Sequence, residues 1–190
     1  IRPKRSTLTS RKEVDLTRTF KFKYGGSYHG IPVMAANMDG VGTLEVGRTL
    51  RDLDLFTCYK KAIDEEELIE ELQNNHGKHV AVTVGRNEAD YERLARINKK
   101  ASVRNICIDV ANGYTQALVD FVKVVRRTFP KCNIIAGNVV TGEMVEELLL
   151  AGADIIKVGI GSGSVCTTRL KTGVGYPQFS CIAECADAAH

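Results

Sequence analysis

The sequence has no apolar run of the roughly 18 residues that a helix needs to cross a bilayer. It also lacks the charged-then-apolar opening of a secretory leader. No two of its six cysteines (Cys58, Cys107, Cys132, Cys166, Cys181 and Cys185) stand as C-x-x-C, and no histidine spacing completes a zinc site. Neither a membrane span nor a zinc-ribbon module has any support. Cys58 and Cys107 sit in apolar, strand-like runs and read as buried thiols. Cys181 and Cys185, four apart on a helical stretch, are expected to pack rather than bridge. This cysteine usage fits a reducing, cytoplasmic setting.

Charge of one sign is also scarce, with a net +3 overall. It is unevenly spread. Residues 1–23 hold eight Lys/Arg, among them Arg2, Lys4, Arg5 and Arg11, against Glu13 and Asp15, which leaves +6 there and about −3 in the remainder. Before Phe20 the basic arm carries no aromatic residue of the kind that stacks on bases, so nucleic acid is set aside as a partner. A solvated, subunit-facing or nucleotide-attracting arm is the better reading.

What is present is a rhythm. At 190 residues, 44% hydrophobic and 26% charged, the chain has the size and composition of one globular domain. Residues 1–30 form an opening segment. There Thr19-Phe20-Lys21-Phe22-Lys23 alternates with period two and Gly25-Gly26 supplies a hairpin turn. From Ile31 onward, apolar strand-like runs recur at Val33–Ala36, Leu55–Tyr59, Val80–Val84, Ile106–Val110, Ile134–Ala136 and Ile155–Val158. Helical stretches near 42–52, 64–75, 88–99, 115–128, 142–151 and 177–190 alternate with them. In one of these, Leu118, Phe121, Val122 and Val125 make an apolar face at helical spacing. Strand–helix alternation with nearly continuous apolar strands predicts a parallel sheet covered by helices.

Polar and glycine residues follow strand after strand: Asn37-Met38-Asp39, Lys60-Lys61, Gly85, Asp109–Asn112 and Gly137-Asn138. A (β/α)8 barrel gathers all such ends on one face, whereas an open sheet would spread them along a line. The α/β reading is therefore a barrel of which six βα units are present. Six strands leave open edges, so the chain, which starts at Ile1 without Met, is expected to be part of a longer barrel and not to turn over substrate alone.

The last strand runs into Gly159-Ile160-Gly161-Ser162-Gly163-Ser164-Val165-Cys166-Thr167-Thr168-Arg169. Glycines at alternate positions free this backbone to turn and to approach a ligand. The turn exposes one cysteine between hydroxyl residues, with an arginine close behind. An exposed, partly ionised thiol is a nucleophile, and a glycine-rich loop can also bind an ion through its backbone. By itself such a loop is equally a plain strand-to-helix turn, with Ser164 and Thr168 bonding nearby backbone and Asp109 capping the next helix.

The wording of the loop, with Gly173-Val174-Gly175-Tyr176-Pro177-Gln178 after it, resembles the cysteine loop of the IMP dehydrogenase/GMP reductase family. Ala35-Ala36-Asn37-Met38-Asp39, Asp109-Val110-Ala111-Asn112-Gly113-Tyr114 and Gly137-Asn138-Val139-Val140-Thr141-Gly142-Glu143-Met144 resemble its reductase branch, and the likeness runs across the whole chain. It implies a TIM barrel and NADPH-dependent conversion of GMP to IMP and ammonia through a covalent Cys166 adduct, in a cytoplasmic homotetramer. It further implies that Cys166, Thr168, Lys61 and Asp109 are catalytic and that Ser164, Asn138, Met38 and Asp39 bind the nucleotide. Asp109, Ala111 and Gly85 would meet the cofactor. The carbonyls of Gly161, Gly163 and Cys166 would hold a monovalent cation, potassium.

The chain departs from the family pattern at Lys60-Lys61-Ala62-Ile63, which lacks the usual histidines and tyrosine. It also departs at Gly40, where threonine is usual, and at Ser162, where proline is usual. These changes bear on proton relay and loop rigidity. IMP dehydrogenase, which would oxidise IMP with NAD, is the alternative enzyme. It is disfavoured by the Asp-Val-Ala-Asn-Gly-Tyr wording and by the absence of a tandem insertion after the second strand. An inactive nucleotide-binding relic is the non-enzymatic alternative.

Overall fold

The computed structural model describes residues 4–24 and 26–190. Two strands, β1 (Arg18–Lys21) and β2 (Ser27–Gly30), pair antiparallel as the opening hairpin. Of the expected Gly25-Gly26 turn, Gly25 lies outside the described residues, as does Arg2 of the basic arm. Gly26 closes the turn by accepting a 2.9 Å bond from the Phe22 N–H. The hairpin is tied to the main fold by Tyr28, whose hydroxyl donates to the carbonyls of Ile31 and Asp54.

Six parallel strands follow in sequential order: β3 (Met34–Ala35), β4 (Phe56–Tyr59), β5 (Val80–Val84), β6 (Asn105–Asp109), β7 (Asn133–Val139) and β8 (Ile155–Val158). Each pairs with the next in the chain. Between them run α1 (Leu44–Arg51), α2 (Glu65–Asn75), α3 (Glu88–Lys100), α4 (Gln116–Thr128) and α5 (Gly142–Ala151). After β8 come a short α6 (Thr168–Thr172), which the periodicity does not announce, and α7 (Gln178–Ala188). The first expected strand is shorter than its apolar run, and the fifth extends through Asn138 to Val139.

Why the helices start where they do is local chemistry. Thr43, Asp64 and Asn87 cap α1, α2 and α3 by accepting backbone N–H bonds with their side chains. Asp64 is followed by three glutamates in the first turn of α2, where the helix dipole favours negative charge. Gly152 ends α5 in the left-handed region at φ 115°.

Successive strand residues face opposite sides, and the two faces bury different sets. One side of the sheet packs on the helices in a large core that includes Val80, Val82, Val84, Ile106, Ile108, Ile134 and, from α4, Leu118, Val122 and Val125. Each such side chain contributes about 1.5–3 kcal/mol on burial. The inner side collects Phe56, Cys58, Ala81, Cys107, Ile135 and Ile155. Both expected buried thiols lie in this inner set, and Cys181 and Cys185 are buried and unbridged.

A sheet of six strands in sequential parallel order that curls round an inner core is a partial TIM barrel. Its two edge strands, β3 and β8, do not pair, so the barrel is open between them. The curl is nonetheless strong. Lys157 on β8 reaches Asn37, just past β3, with Nζ donating to Oδ1 at 2.8 Å.

Candidate active site

Alternation along the strands decides which polar groups enter the barrel mouth. On β6, Cys107 belongs to the inner set, so Asp109 two residues on faces the same way. On β8, Ile155 is inner and Lys157 therefore also points inward. The two meet: Lys157 Nζ donates to Asp109 Oδ1 at 2.7 Å, and Asn37 Nδ2 donates to Asp109 Oδ2 at 2.9 Å. With the Lys157–Asn37 bond this closes a three-membered ring of side chains from β6, β8 and the segment just past β3. Burial alone would drive Lys157 to give up its proton, but the negative charge around it, with the bonded Asp109 carboxylate, outweighs burial and raises its pKa. The charged lysine thus holds the carboxylate in the mouth. Asp109 does not cap α4, because Thr115 occupies that position.

Lys157 was not among the expected site residues, since its sequence context is an apolar strand run. A lysine at the C-terminal end of a buried strand is the signal that could have found it. Asn37 stood in a quoted motif, but its partners are remote in sequence.

The other expected residues divide into groups. Asn138 donates from Nδ2 to the Gly159 carbonyl at 2.9 Å, which links the end of β7 to the start of the cysteine loop. The Gly137–Asn138 peptide preceding it is cis. Lys61 pairs with Asp90 at 3.1 Å, and the same Asp90 oxygen accepts the Gly85 N–H at 2.9 Å. A side chain on Gly85 would meet that carboxylate, with its Cβ 2.5 Å from Oδ2. Lys60 pairs with the exposed Asp39 at 3.1 Å. Met38 is exposed, and its carbonyl accepts the N–H groups of Val41 and Gly42. Ala111 is exposed beside Asp109, and Ser164 is exposed in the loop. No hydrogen bond among the described residues joins Lys61 to the Asp109–Lys157–Asn37 ring.

Cys166 is half-buried, two residues before Thr168 at the start of α6. Its thiol pKa is lowered, first by the Thr168 hydroxyl, then by the Thr168 N–H, and further by the charge of Arg169. These interactions favour the thiolate, the reactive form. The loop carries positive φ at Gly159 (129°) and Gly161 (67°), conformations open to glycine. Arg169 donates to the Gly161 carbonyl, and the Gly163 carbonyl accepts the Cys166 N–H at 3.1 Å. Two of the three carbonyls expected to hold a cation, those of Gly161 and Gly163, thus already accept a bond from the protein.

A cavity of about 770 Å³ lies at the opposite end of the strands. It sits between the hairpin and the strand starts and is lined by Phe20, Tyr28, Phe56, His79 and Asn133 among others. It shares no residue with the mouth.

An open parallel barrel whose strand ends present a lysine-held aspartate and an ionisable loop cysteine defines a class, the TIM-barrel enzymes with chemistry at the C-terminal ends of the strands. The comparisons narrow this. The model of the IMP dehydrogenase / GMP reductase domain matches residues 1–190, and the chain belongs to that family. GMP reductase 2 from Bos taurus is 57% identical over 194 residues, covering 100% of this chain and 56% of that protein. GMP reductase from Escherichia coli O81 (strain ED1a) is 54% identical over 195 residues, with the same coverage of 100% and 56%. The crystal structure of inosine 5′-monophosphate dehydrogenase from Legionella pneumophila superposes with a TM-score of 0.81 at 30% identity, covering 96% of this chain and 56% of that one. The chain therefore spans little more than half the length of the relatives it matches. No helix among the described residues is long and apolar enough to cross a membrane.

Proposed function

We propose that this chain is the cysteine-bearing portion of an NADPH-dependent GMP reductase, which converts GMP to IMP and ammonia in purine interconversion. The observation that carries this reading is the identity of 54–57% to GMP reductases along the entire chain, against 30% to the matched dehydrogenase structure. The retained Cys166, with its thiol pKa lowered, supports it.

The chemistry follows from the loop. Cys166 thiolate adds to purine C2, and the 2-amino group leaves as ammonia after protonation. That creates a thioether-linked purine cation on the enzyme. NADPH, when bound, supplies the hydride to C2. The C2–S bond then breaks and returns the thiolate, so the cysteine is regenerated. A thiolate suits both halves because it is a strong nucleophile and a good leaving group. Thr168, whose hydroxyl and N–H act on the Cys166 thiol, would hold or pass the proton that the departing amine needs.

Asp109 and Lys157 lie in the mouth, where Asp109 can orient a polar ring substituent while Lys157 holds it in position. The exposed Ala111, two residues past Asp109, would meet a nicotinamide there. Gly85 fits less well, since its N–H is already bonded to Asp90. Asn138 acts through Gly159 by holding the loop base, and Ser164 is free to meet a phosphate. Lys61 is assigned to the Asp90 pair beside the mouth and has no step here. The Gly161 carbonyl is engaged by Arg169, so no step is routed through a potassium ion. The cytoplasmic homotetramer belongs to the same proposal.

The test uses the full-length protein. GMP-dependent loss of NADPH, with ammonia released in equal amount and abolished by Cys166→Ser, is the expected result. Formation of xanthosine monophosphate from IMP and NAD would instead make the protein a dehydrogenase. Nucleotide binding without either reaction would make it the relic.

A further inference from the structure

The cysteine loop has Ser162 between Gly161 and Gly163, so no proline fixes φ in the segment that presents Cys166. The structure contains a different restraint. Ser162 Oγ donates to Gln178 Oε1 at 2.8 Å. The Gln178 side-chain amide donates in turn from Nε2 to the Val158 carbonyl at 3.0 Å. One amide thus spans the loop base, from the last residue of β8 to the fourth residue beyond it.

The backbone is shaped to admit this bridge. The Gln178 amide lies across Gly159, where an added Cβ would fall 2.3 Å from Oε1 and 3.0 Å from Nε2. A second contact works beside it. Arg169 donates to the Gly161 carbonyl, and its stem runs between two glycines. A Cβ on Gly161 would lie 2.9 Å from the Arg169 Cγ, and one on Gly175 would lie 2.5 Å from the same atom. The Tyr176 N–H closes the set by donating to the Ile160 carbonyl at 3.0 Å. Every residue from Val158 to Ser162 except Gly159 is therefore bonded to the segment 169–178. Gly159 is packed beneath Gln178 and bonded to Asn138 and Val139.

We propose that Gln178, through its bridge from Val158 to Ser162, is a positioning residue for Cys166 and takes over the stiffening that a proline at 162 would provide. Gln178 itself touches no reacting atom. Its effect reaches the thiol by fixing the loop base, so that Thr168 and Arg169 stay beside the sulfur. The inference rests on the reading of Cys166 as the nucleophile.

Gln178 is the informative residue to change because it is uncharged. Substituting Arg169 would also remove a charge that acts directly on the sulfur. The experiment measures Cys166 alkylation by iodoacetamide against pH in the full-length protein, located by peptide mass, alongside kcat and KM for GMP. Thermal unfolding reports folding. In the parent, Cys166 should react with a titration midpoint below that of a free thiol.

In Gln178→Leu the midpoint should rise and the rate at pH 7 should fall about threefold or more. This is the net of a smaller thiolate fraction and a partly compensating gain in nucleophilicity. The value of kcat should fall with little change in KM. Ser162→Ala should give the same changes in smaller measure. Ser162→Pro introduced into Gln178→Leu should restore the midpoint and most of kcat.

A reactive parent thiol with an unchanged pH profile in a folded Gln178→Leu protein overturns the proposal, as does failure of Ser162→Pro to restore it. A parent Cys166 no more reactive than a free thiol overturns the underlying nucleophile reading instead. If Gln178→Leu fails to fold, Ser162→Ala with its proline counterpart decides the matter on the same readout.

Discussion

Removing the carboxylate of Asp154 should cost a large share of the stability of this protein. Asp154 stands directly before β8, and its side chain is fully buried, while Arg126 on α4 is 10% exposed. The Arg126 guanidinium donates from Nη2 to Asp154, from Nε to the Gly152 carbonyl at 2.9 Å, and from Nη1 to the Cys132 carbonyl at 2.7 Å. It also lies 4.0 Å from the ring centroid of Tyr24. The Asp154 oxygen that meets Arg126 accepts the Ile134 N–H at 2.9 Å as well. In Asp154→Ala the guanidinium keeps its carbonyl acceptors but loses its only counter-charge among the described residues, and a buried N–H loses its partner.

Breaking one side of such a buried pair costs about 3–5 kcal/mol, chiefly through the charge left uncompensated. Domains are stable by only about 5–15 kcal/mol, so about a fifth or more of the total is at stake. Urea unfolding of the full-length protein measures it. Arg126→Met in the same background removes the stranded charge, so the double variant should be more stable than Asp154→Ala alone. A single variant within 1 kcal/mol of the parent, on the scale of an exposed ion pair, would refute the reasoning. A double variant less stable than Asp154→Ala would refute it too.

Glu71, buried on α2, accepts from Arg48 at 2.7 Å, Arg51 at 2.9 Å, Asn75 at 2.9 Å and Tyr59 at 3.2 Å. Burial acts to raise its pKa, but the bonds from Arg48 and Arg51 outweigh it and lower the pKa below the usual 4.5. This stabilisation is present above the unfolded-state pKa and is lost as pH falls through the lower folded value. Urea midpoints measured below pH 4.5 should therefore fall less steeply with pH in Glu71→Gln than in the parent. Gly159→Ala should abolish reaction with GMP, because φ 129° and the close Gln178 amide both oppose a side chain; the assay is NADPH loss in a variant shown to fold by circular dichroism. Lys157→Met should lower kcat/KM for GMP by about tenfold or more, the scale of one interaction of 1.4 kcal/mol lost at the transition state. Lys157→Arg should retain part of it.

The element order was legible in the residues because apolar periodicity reports which face of a helix or strand is buried. Val80–Val84 and Ile155–Val158 emerge with the expected bounds, and α5 does also. The cysteine loop was legible because alternating glycines, hydroxyls and one cysteine have few structural uses together. Capping by Asp64 is equally local, and its chemistry is written within three residues.

Contacts across the barrel could not be read in this way. Lys157 looks like an interruption in an apolar strand until the curl of the sheet brings Asp109, 48 residues away, and Asn37, 120 residues away, within hydrogen-bond reach. Ser162 looks like a loss of stiffness until α7 brings Gln178 over Gly159. Lys61 has no visible partner until the fold brings Asp90, 29 residues away, against it. Local sequence determined which segments are strands and helices, where they begin, and that a glycine-rich loop with one cysteine follows β8, since those outcomes depend on neighbours within a few residues. Only the tertiary structure decided which charges face one another and what steadies the loop, because hydrogen bonds and ion pairs act over about 3 Å of space whatever the distance along the chain.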